Sequence, residues 1–87
     1  MQKTIIIYNE ESQAFMVAVS NNPTRRLREL QKCTPYKLTI YKIVEESRKE
    51  ILDDCAHYRL RGCWIKADPI VKEYISRLTP SYYFPAG

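Results

Sequence analysis

Two apolar runs separated by a short polar stretch constrain this chain more than any other feature of its sequence. The runs KTIIIY at 3–8 and AFMVAVS at 14–20 are rich in β-branched and aromatic residues, and the intervening NEESQ is polar. This pattern predicts a hairpin of two strands. The second run is apolar on both faces. Its alternating side chains are Phe15, Val17 and Val19 on one face and Met16 and Ala18 on the other. A strand of this kind belongs inside a sheet that is covered on both sides.

A basic helix is predicted directly after the hairpin, in SNNPTRRLRELQKCTP at 20–35. Asn21 or Asn22 can cap this helix, and Pro23 suits its first position because the missing N–H has no partner there. The Thr-Pro pair at 34–35 ends it. The two leucines of the helix share one face, and the opposite face is basic. The basic residues of that face are Arg25, Arg28 and Lys32.

The remaining segments alternate between strand and helix. YKLTIYKIV at 36–44 is predicted to be a third strand, and a capping box, SRKE at 47–50, begins a helix that runs to about Tyr58. CWI at 63–65 is predicted to be a short strand or a turn. The Asp-Pro pair at 68–69 caps and begins a last helix with an apolar stripe.

The predicted element order is therefore ββαβα(β)α. This order indicates the α/β class in its α+β form: a small, three-stranded, mainly antiparallel sheet flanked by helices. Within the third strand, Leu38, Ile40 and Val44 are expected near one face. A chain of 87 residues is expected to form a single domain, 1–87, with a Pro-bounded aromatic tail at 79–87.

Composition narrows the class of protein. The net charge is +4, and 45% of the residues are hydrophobic, which is typical of a globular domain with a mild preference for acidic partners. No apolar run approaches the roughly 20 residues of a membrane helix, and the N-terminus has no signal-peptide pattern. Cys33, Cys55 and Cys63 are odd in number and lack metal-ligand spacing. We therefore expect free thiols, a cytoplasmic location, no metal and no cofactor.

Two longer stretches carry a resemblance to a known family. FMVAVSNNPTRRLRELQ at 15–31, followed by RKEILDDCAHYRLRGCWI at 48–65, is similar to the small phage and bacterial branch of the GIY-YIG nuclease superfamily. In that branch a Tyr-x-Ile-Gly strand leads into Asn/Asp-Pro-x-x-Arg-Leu-x-x-Leu, and Arg-x-x-Gly-Glu-Trp follows later. The resemblance spans roughly residues 3–66, and it implies a GIY-YIG-like fold and a cytoplasmic location, which is the host cytoplasm if the protein is phage-encoded.

The resemblance also implies that most catalytic positions of the family are altered in this chain. The family's tyrosines, glycine, histidine and glutamates fall on residues that cannot replace them: Thr4, Ile6, Phe15, Ala18, Arg48, Leu52 and Cys63. Only the helix arginine, Arg26, is kept. Phosphodiester hydrolysis needs a carboxylate-held metal and a polarised nucleophile. The resemblance therefore implies a non-enzymatic, pseudo-nuclease domain with no catalytic residues.

Basic residues provide the candidate site for an anion or a nucleic acid. These residues are Arg25, Arg26, Arg28, Lys32, Arg59 and Arg61. The alternative is that they form ordinary solvated faces. Arg26 lies nearer the leucines than the other basic residues of its helix, so it needs a partner. That partner is either a phosphate or an internal carboxylate such as Glu29 or Asp54.

The aromatic tail provides a second candidate surface, a protein interface made of Tyr82, Tyr83 and Phe84. The alternative is that these rings cover the thin core of a small domain. An interface here fits a protein partner or a homodimer.

Three hypotheses for function follow. The first is an inactive GIY-YIG-like interaction protein that binds a macromolecule, or inhibits a host protein if it is phage-encoded. The second is a DNA- or RNA-binding module that uses the basic helix 23–32 with Arg59 and Arg61. The third is an active metal-dependent endonuclease that uses displaced residues such as Glu50 or His57. A net charge of +4 is low for a nucleic-acid binder, which favours a protein partner. Nothing in the sequence indicates a small-molecule substrate.

Overall fold

The computed structural model describes residues 2–81 as a four-stranded sheet with three α-helices. The elements occur in this order: β1 Lys3–Asn9, β2 Ala14–Ser20, α1 Pro23–Gln31, β3 Leu38–Val44, α2 Arg48–Asp54, a 3-10 turn Ala56–Tyr58, β4 Trp64–Lys66 and α3 Pro69–Ser76.

The sheet has the strand order β3-β1-β2-β4, and every neighbouring pair is antiparallel. The expectation of three strands is wrong, because the segment expected to be a short strand or a turn forms β4. Ile65 of β4 pairs with Phe15 on one side and forms an isolated bridge with Arg59 on the other. Ile65 is also fully buried, so the core holds this short strand in place.

Helices cover both faces of the sheet, as the two-faced apolar pattern of residues 14–20 predicts. On one face, α1 packs with Leu27 and Leu30 against a cluster formed by Ile5, Ile7, Ala18 and Leu38. On the other face, α2 and α3 pack against β1, β2 and β4. The buried residues on this second face include Ile6, Phe15, Val17, Ile51, Ile65 and Ile75.

A bulge in β3 changes which residues share a face. The pairing with β1 shifts between Ile6 and Ile7, because Ile6 faces Lys42 and Ile7 faces Ile40. One extra residue in a strand reverses the alternation beyond it. Leu38 and Ile40 therefore pack on the α1 side, whereas Val44 belongs to the opposite cluster. The expectation that all three share a face is wrong.

Each helix begins at the cap that the sequence predicts. The side chains of Asn22, Ser47 and Asp68 accept hydrogen bonds from backbone N–H groups in the first turns of α1, α2 and α3 at 3.1, 3.2 and 3.0 Å. The α2 helix ends at Asp54 rather than running to Tyr58, because the Tyr58 N–H bonds to the Cys55 carbonyl and tightens the chain into a 3-10 turn.

The end of α3 is tied to β3 and to the loop that follows β3. The Lys42 ammonium donates to the carbonyls of Ile75, Ser76 and Leu78 at 3.0, 3.2 and 2.8 Å. The Glu46 carboxylate accepts hydrogen bonds from the N–H and the hydroxyl of Thr79. These bonds satisfy backbone groups that the helix leaves without internal partners.

None of the helices in the described part of the chain has the length and apolar character of a membrane span.

Candidate anion-binding cleft

Part of the β2 edge has no neighbouring strand, because β2 is longer than β4. The paired residues end at Met16 and Trp64, and one further bond joins the Val17 N–H to the Cys63 carbonyl at 3.1 Å. Residues two apart along a strand direct their N–H and C=O groups to the same side. The N–H and C=O of Val19 therefore point towards the side that β4 does not cover.

A cleft of about 240 Å³ lies at this uncovered edge. We call it the edge cleft. It is lined by residues 16–19 of β2 together with Arg26, Arg48 and Cys63. Arg26 comes from α1 on one face of the sheet, and Arg48 comes from α2 on the other, so the two arginines flank the edge from opposite sides.

Arg48 is the first residue of α2, directly after the Ser47 cap. Its Nε donates a hydrogen bond of 3.2 Å to the carbonyl oxygen of Val17. A longer β4 would donate a backbone N–H to this carbonyl. The arginine therefore caps the strand edge where the ladder stops.

Arg26 is half-buried and incompletely satisfied. Its Nη1 lies 3.6 Å from the Glu29 carboxylate, and the two side chains are 40% and 50% exposed, so this ion pair is weak. The Arg26 Nε is buried and has no hydrogen-bond partner among the described residues. A buried donor left without a partner costs about 1–3 kcal/mol, which a bound acceptor would recover.

The electrostatic character of the edge cleft is cationic. Two guanidinium groups line it, and no carboxylate stands among its described lining residues. Among residues 2–81, no three His, Cys, Asp or Glu side chains come together in a metal-binding arrangement. The arrangement can hold an anionic group by charge-assisted hydrogen bonds, which are short and strong when the donor is a guanidinium.

The sequence suggested Glu29 and Asp54 as carboxylate partners for Arg26, and the two have different partners in the structure. Glu29 is its ion-pair partner, and it is shared with Arg25, whose Nε donates to Glu29 at 3.2 Å. Asp54 instead accepts a hydrogen bond of 2.5 Å from the Tyr74 hydroxyl. Burial and this bond to Asp54 raise the pKa of the Tyr74 phenol far above its usual range.

The other predicted basic residues lie outside the edge cleft. Arg25 lines a neighbouring polar groove that Arg26 also borders, whereas Arg28 and Lys32 line a separate groove along α1. Arg59 donates through Nε to the Gly62 carbonyl at 2.7 Å, within its own turn. Arg61 is exposed in the same turn. The six residues therefore do not line a single cleft.

Arg48 lines the edge cleft, although the sequence did not predict it as a site residue. On the GIY-YIG resemblance this position corresponds to the helix glutamate of the nuclease family. The change from a carboxylate to a cation at this position is the sequence signal that points to Arg48. Its role becomes visible once β4 ends and leaves the Val17 carbonyl to a side chain.

Trp64 is half-buried and packs against the cluster under α1. The predicted interface residues Tyr82, Tyr83 and Phe84 lie outside the described residues.

No protein-family model matches the chain, and comparisons with curated proteins and with solved structures found no match either.

Proposed function

We propose that this chain is a non-catalytic, GIY-YIG-like domain that binds an acidic segment of a macromolecular partner at the edge cleft. The observation that carries the proposal is the placement of Arg26 and Arg48, which approach one cleft from opposite faces of the sheet. The unpartnered Nε of Arg26 adds a donor that an anion can satisfy.

Charge reversal at the cleft argues for binding rather than hydrolysis. Divalent Mg²⁺ prefers carboxylate oxygen ligands, and two nearby guanidinium groups repel it. On the GIY-YIG resemblance, Arg48 takes the position of a glutamate and Cys63 takes the position of another. A cleft altered in this way favours an anion over a metal ion.

The distribution of basic residues favours a protein partner over a long nucleic acid. A nucleic-acid binder usually carries a continuous basic patch. Here Arg28 and Lys32 lie in a different groove from Arg48, and Arg59 is used within its own turn. The net charge is +4. A small cleft with two arginines suits one or two carboxylates of a protein chain.

Polyanion binding tests the proposal. Fluorescein-labelled poly-glutamate and a labelled single-stranded oligonucleotide are titrated with wild-type protein, Arg48→Glu and Arg61→Glu, and anisotropy is recorded. The two variants change the net charge equally, but only Arg48 lines the edge cleft. We expect Arg48→Glu to weaken binding of at least one probe by roughly tenfold or more, because a charge-assisted hydrogen bond is replaced by repulsion.

Two results would contradict the proposal. One is the absence of binding to both probes at low salt, and the other is an equal loss in Arg48→Glu and Arg61→Glu. Incubation of plasmid and branched DNA with Mg²⁺ or Mn²⁺ tests the non-catalytic part. Nicking by purified protein that disappears in Arg26→Ala would show that the domain is a working nuclease.

A further inference from the structure

The uncovered edge of β2 offers backbone groups as well as arginines. The N–H and C=O of Val19 point to the side that β4 leaves open, and the Val17 carbonyl on that side is held by the Arg48 side chain. A free strand edge is a template for another extended chain, since its unpaired groups match those of a new strand. Nucleic acids have no equivalent ladder of donors and acceptors.

The positions of the two arginines also indicate which side chains an added strand should carry. Successive residues of a strand point to opposite faces of the sheet. A strand added beside β2 would direct one residue towards the α1 face, where Arg26 lies, and the next towards the α2 face, where Arg48 lies. Two adjacent acidic residues would therefore place one carboxylate beside each arginine.

We propose that the partner segment is an extended acidic peptide that adds to the sheet as a strand along the open edge of β2. Its backbone bonds to the Val17 carbonyl and to the N–H and C=O of Val19, while the Val17 N–H stays with the Cys63 carbonyl. Two adjacent carboxylates bind Arg26 and Arg48. This inference rests on the proposed function, because it names the partner class for the same cleft.

At Val17 and Arg48, binding replaces one hydrogen bond with two. In the free protein the Val17 carbonyl accepts from the Arg48 Nε. An incoming backbone N–H takes this carbonyl, and the released guanidinium is then able to pair with a carboxylate. The buried Nε of Arg26 gains an acceptor that it lacks among the described residues. The peptide thus satisfies groups that the free domain leaves open or satisfies with a side chain.

A second copy of this chain is a poorer occupant of the same edge. Pairing β2 of one copy with β2 of another would bring the arginines of both copies to one junction. Like charges placed opposite each other destabilise a strand pair. Charge complementarity therefore selects an acidic partner rather than self-association through this edge.

Titration by nuclear magnetic resonance tests the inference. The 87-residue chain, labelled with ¹⁵N, is titrated with the peptide Thr-Val-Glu-Glu-Val-Thr to millimolar concentration. Four control peptides are used. One replaces both glutamates with glutamine, one separates the glutamates by one residue, and two carry N-methyl groups on alternate residues, one in each of the two possible registers. A labelled oligonucleotide of matched charge is the last probe.

We expect the adjacent-glutamate peptide to shift the Val19 amide and the Nε–H resonances of Arg26 and Arg48. The glutamine peptide should bind at least about tenfold more weakly than the adjacent-glutamate peptide, because it loses the charge-assisted bonds. The peptide N-methylated in one of the two registers should be weakened to a similar extent, because it loses the backbone donors that face β2. Arg26→Gln and Arg48→Gln should each weaken binding of the adjacent-glutamate peptide to a similar extent, whereas Arg61→Gln should leave its binding unchanged. The spectrum of Arg48→Gln without peptide shows whether this variant is folded. If it is folded and its peptide-induced shifts are reduced, the loss of binding is not caused by unfolding.

The outcomes separate the two proposals. If only the oligonucleotide binds, and Arg26 and Arg48 are required, then the anion-binding function stands and the added-strand inference is wrong. If the peptide binds equally well when N-methylated in either register, then it is held by charge alone and the inference is again wrong. If neither probe moves the resonances of the edge cleft, both proposals fail.

Discussion

Replacing Lys42 with methionine should destabilise the domain by removing the cation at the end of α3. The Lys42 ammonium is a donor to three carbonyl groups, those of Ile75, Ser76 and Leu78, at 3.0, 3.2 and 2.8 Å. Methionine keeps most of the apolar stem that lies along the sheet and removes only the charge and the donors. The change therefore isolates the polar contribution of this contact.

The expected loss of stability in Lys42→Met follows from the number of hydrogen bonds that are removed and from their exposure to water. A hydrogen bond to a charged group contributes about 1.5–3 kcal/mol when it is well buried, and a cation at a helix C-terminus contributes about 0.3–1 kcal/mol. Lys42 is half-buried, so the freed carbonyls can turn to water and the loss is smaller than a full sum. We expect the free energy of unfolding to fall by about 2 kcal/mol, and the melting temperature to fall by roughly 8–16 °C for a domain of this size.

Urea denaturation followed by circular dichroism measures this loss. The matched control is Lys72→Met, because Lys72 is an exposed lysine on α3 itself. A change at an exposed site of this kind is expected to stay within about 0.5 kcal/mol of wild type. If Lys42→Met is as mild as Lys72→Met, then the three carbonyls do not depend on the ammonium and the reasoning is refuted.

Three further predictions concern acid stability, thiol reactivity and the turn before β4. Burial opposes the charge on Glu46, but hydrogen bonds from Thr79 and the charge of Lys42 outweigh it and lower the pKa of this carboxyl below 4.5. Its contribution to stability is therefore full above about pH 4.5 and is lost as the pH falls through the lower folded-state pKa. Glu46→Gln should flatten the pH dependence of the free energy of unfolding in that acidic window, and an unchanged slope would contradict this. Burial raises the pKa of the Cys55 thiol, so Ellman's reagent should modify exposed Cys33 first and Cys55 last, and the reverse order in mass spectra would be inconsistent with the fold. Gly62→Ala should cost about 1 kcal/mol in thermal unfolding, because Gly62 has a φ of +58° with open space around it, and a neutral result would show that the turn relaxes.

The sequence predicts most of the elements because each carries a local physical signal. The apolar runs of β1 and β2, the proline after Asn22 and the Ser47 cap are all visible without tertiary contacts, and the structure has each element at those positions. The covering of β2 on both faces also follows from its own side chains. These features depend on neighbours within a few residues.

The features that the sequence left open or did not predict depend on long-range register. Whether residues 63–65 form a strand depends on pairing with Phe15, which is far away in the chain. The bulge in β3 that turns Val44 to the other face is likewise set by pairing with β1. The candidate site has the same origin. Arg26 carried a local signal, but Arg48 joins it only because β4 ends early and exposes the Val17 carbonyl.

The most direct measurement of the central claim is the response of individual arginine Nε–H resonances to inorganic phosphate. Phosphate is a small anion that can enter the edge cleft without requiring an added strand. We predict that the Nε–H resonances of Arg26 and Arg48 shift and saturate together. The Nε–H of Arg59, which donates to the Gly62 carbonyl, should stay in place. If Arg26 and Arg48 do not respond, or if they move in step with Arg59 without saturating, then the edge cleft is not an anion-binding site.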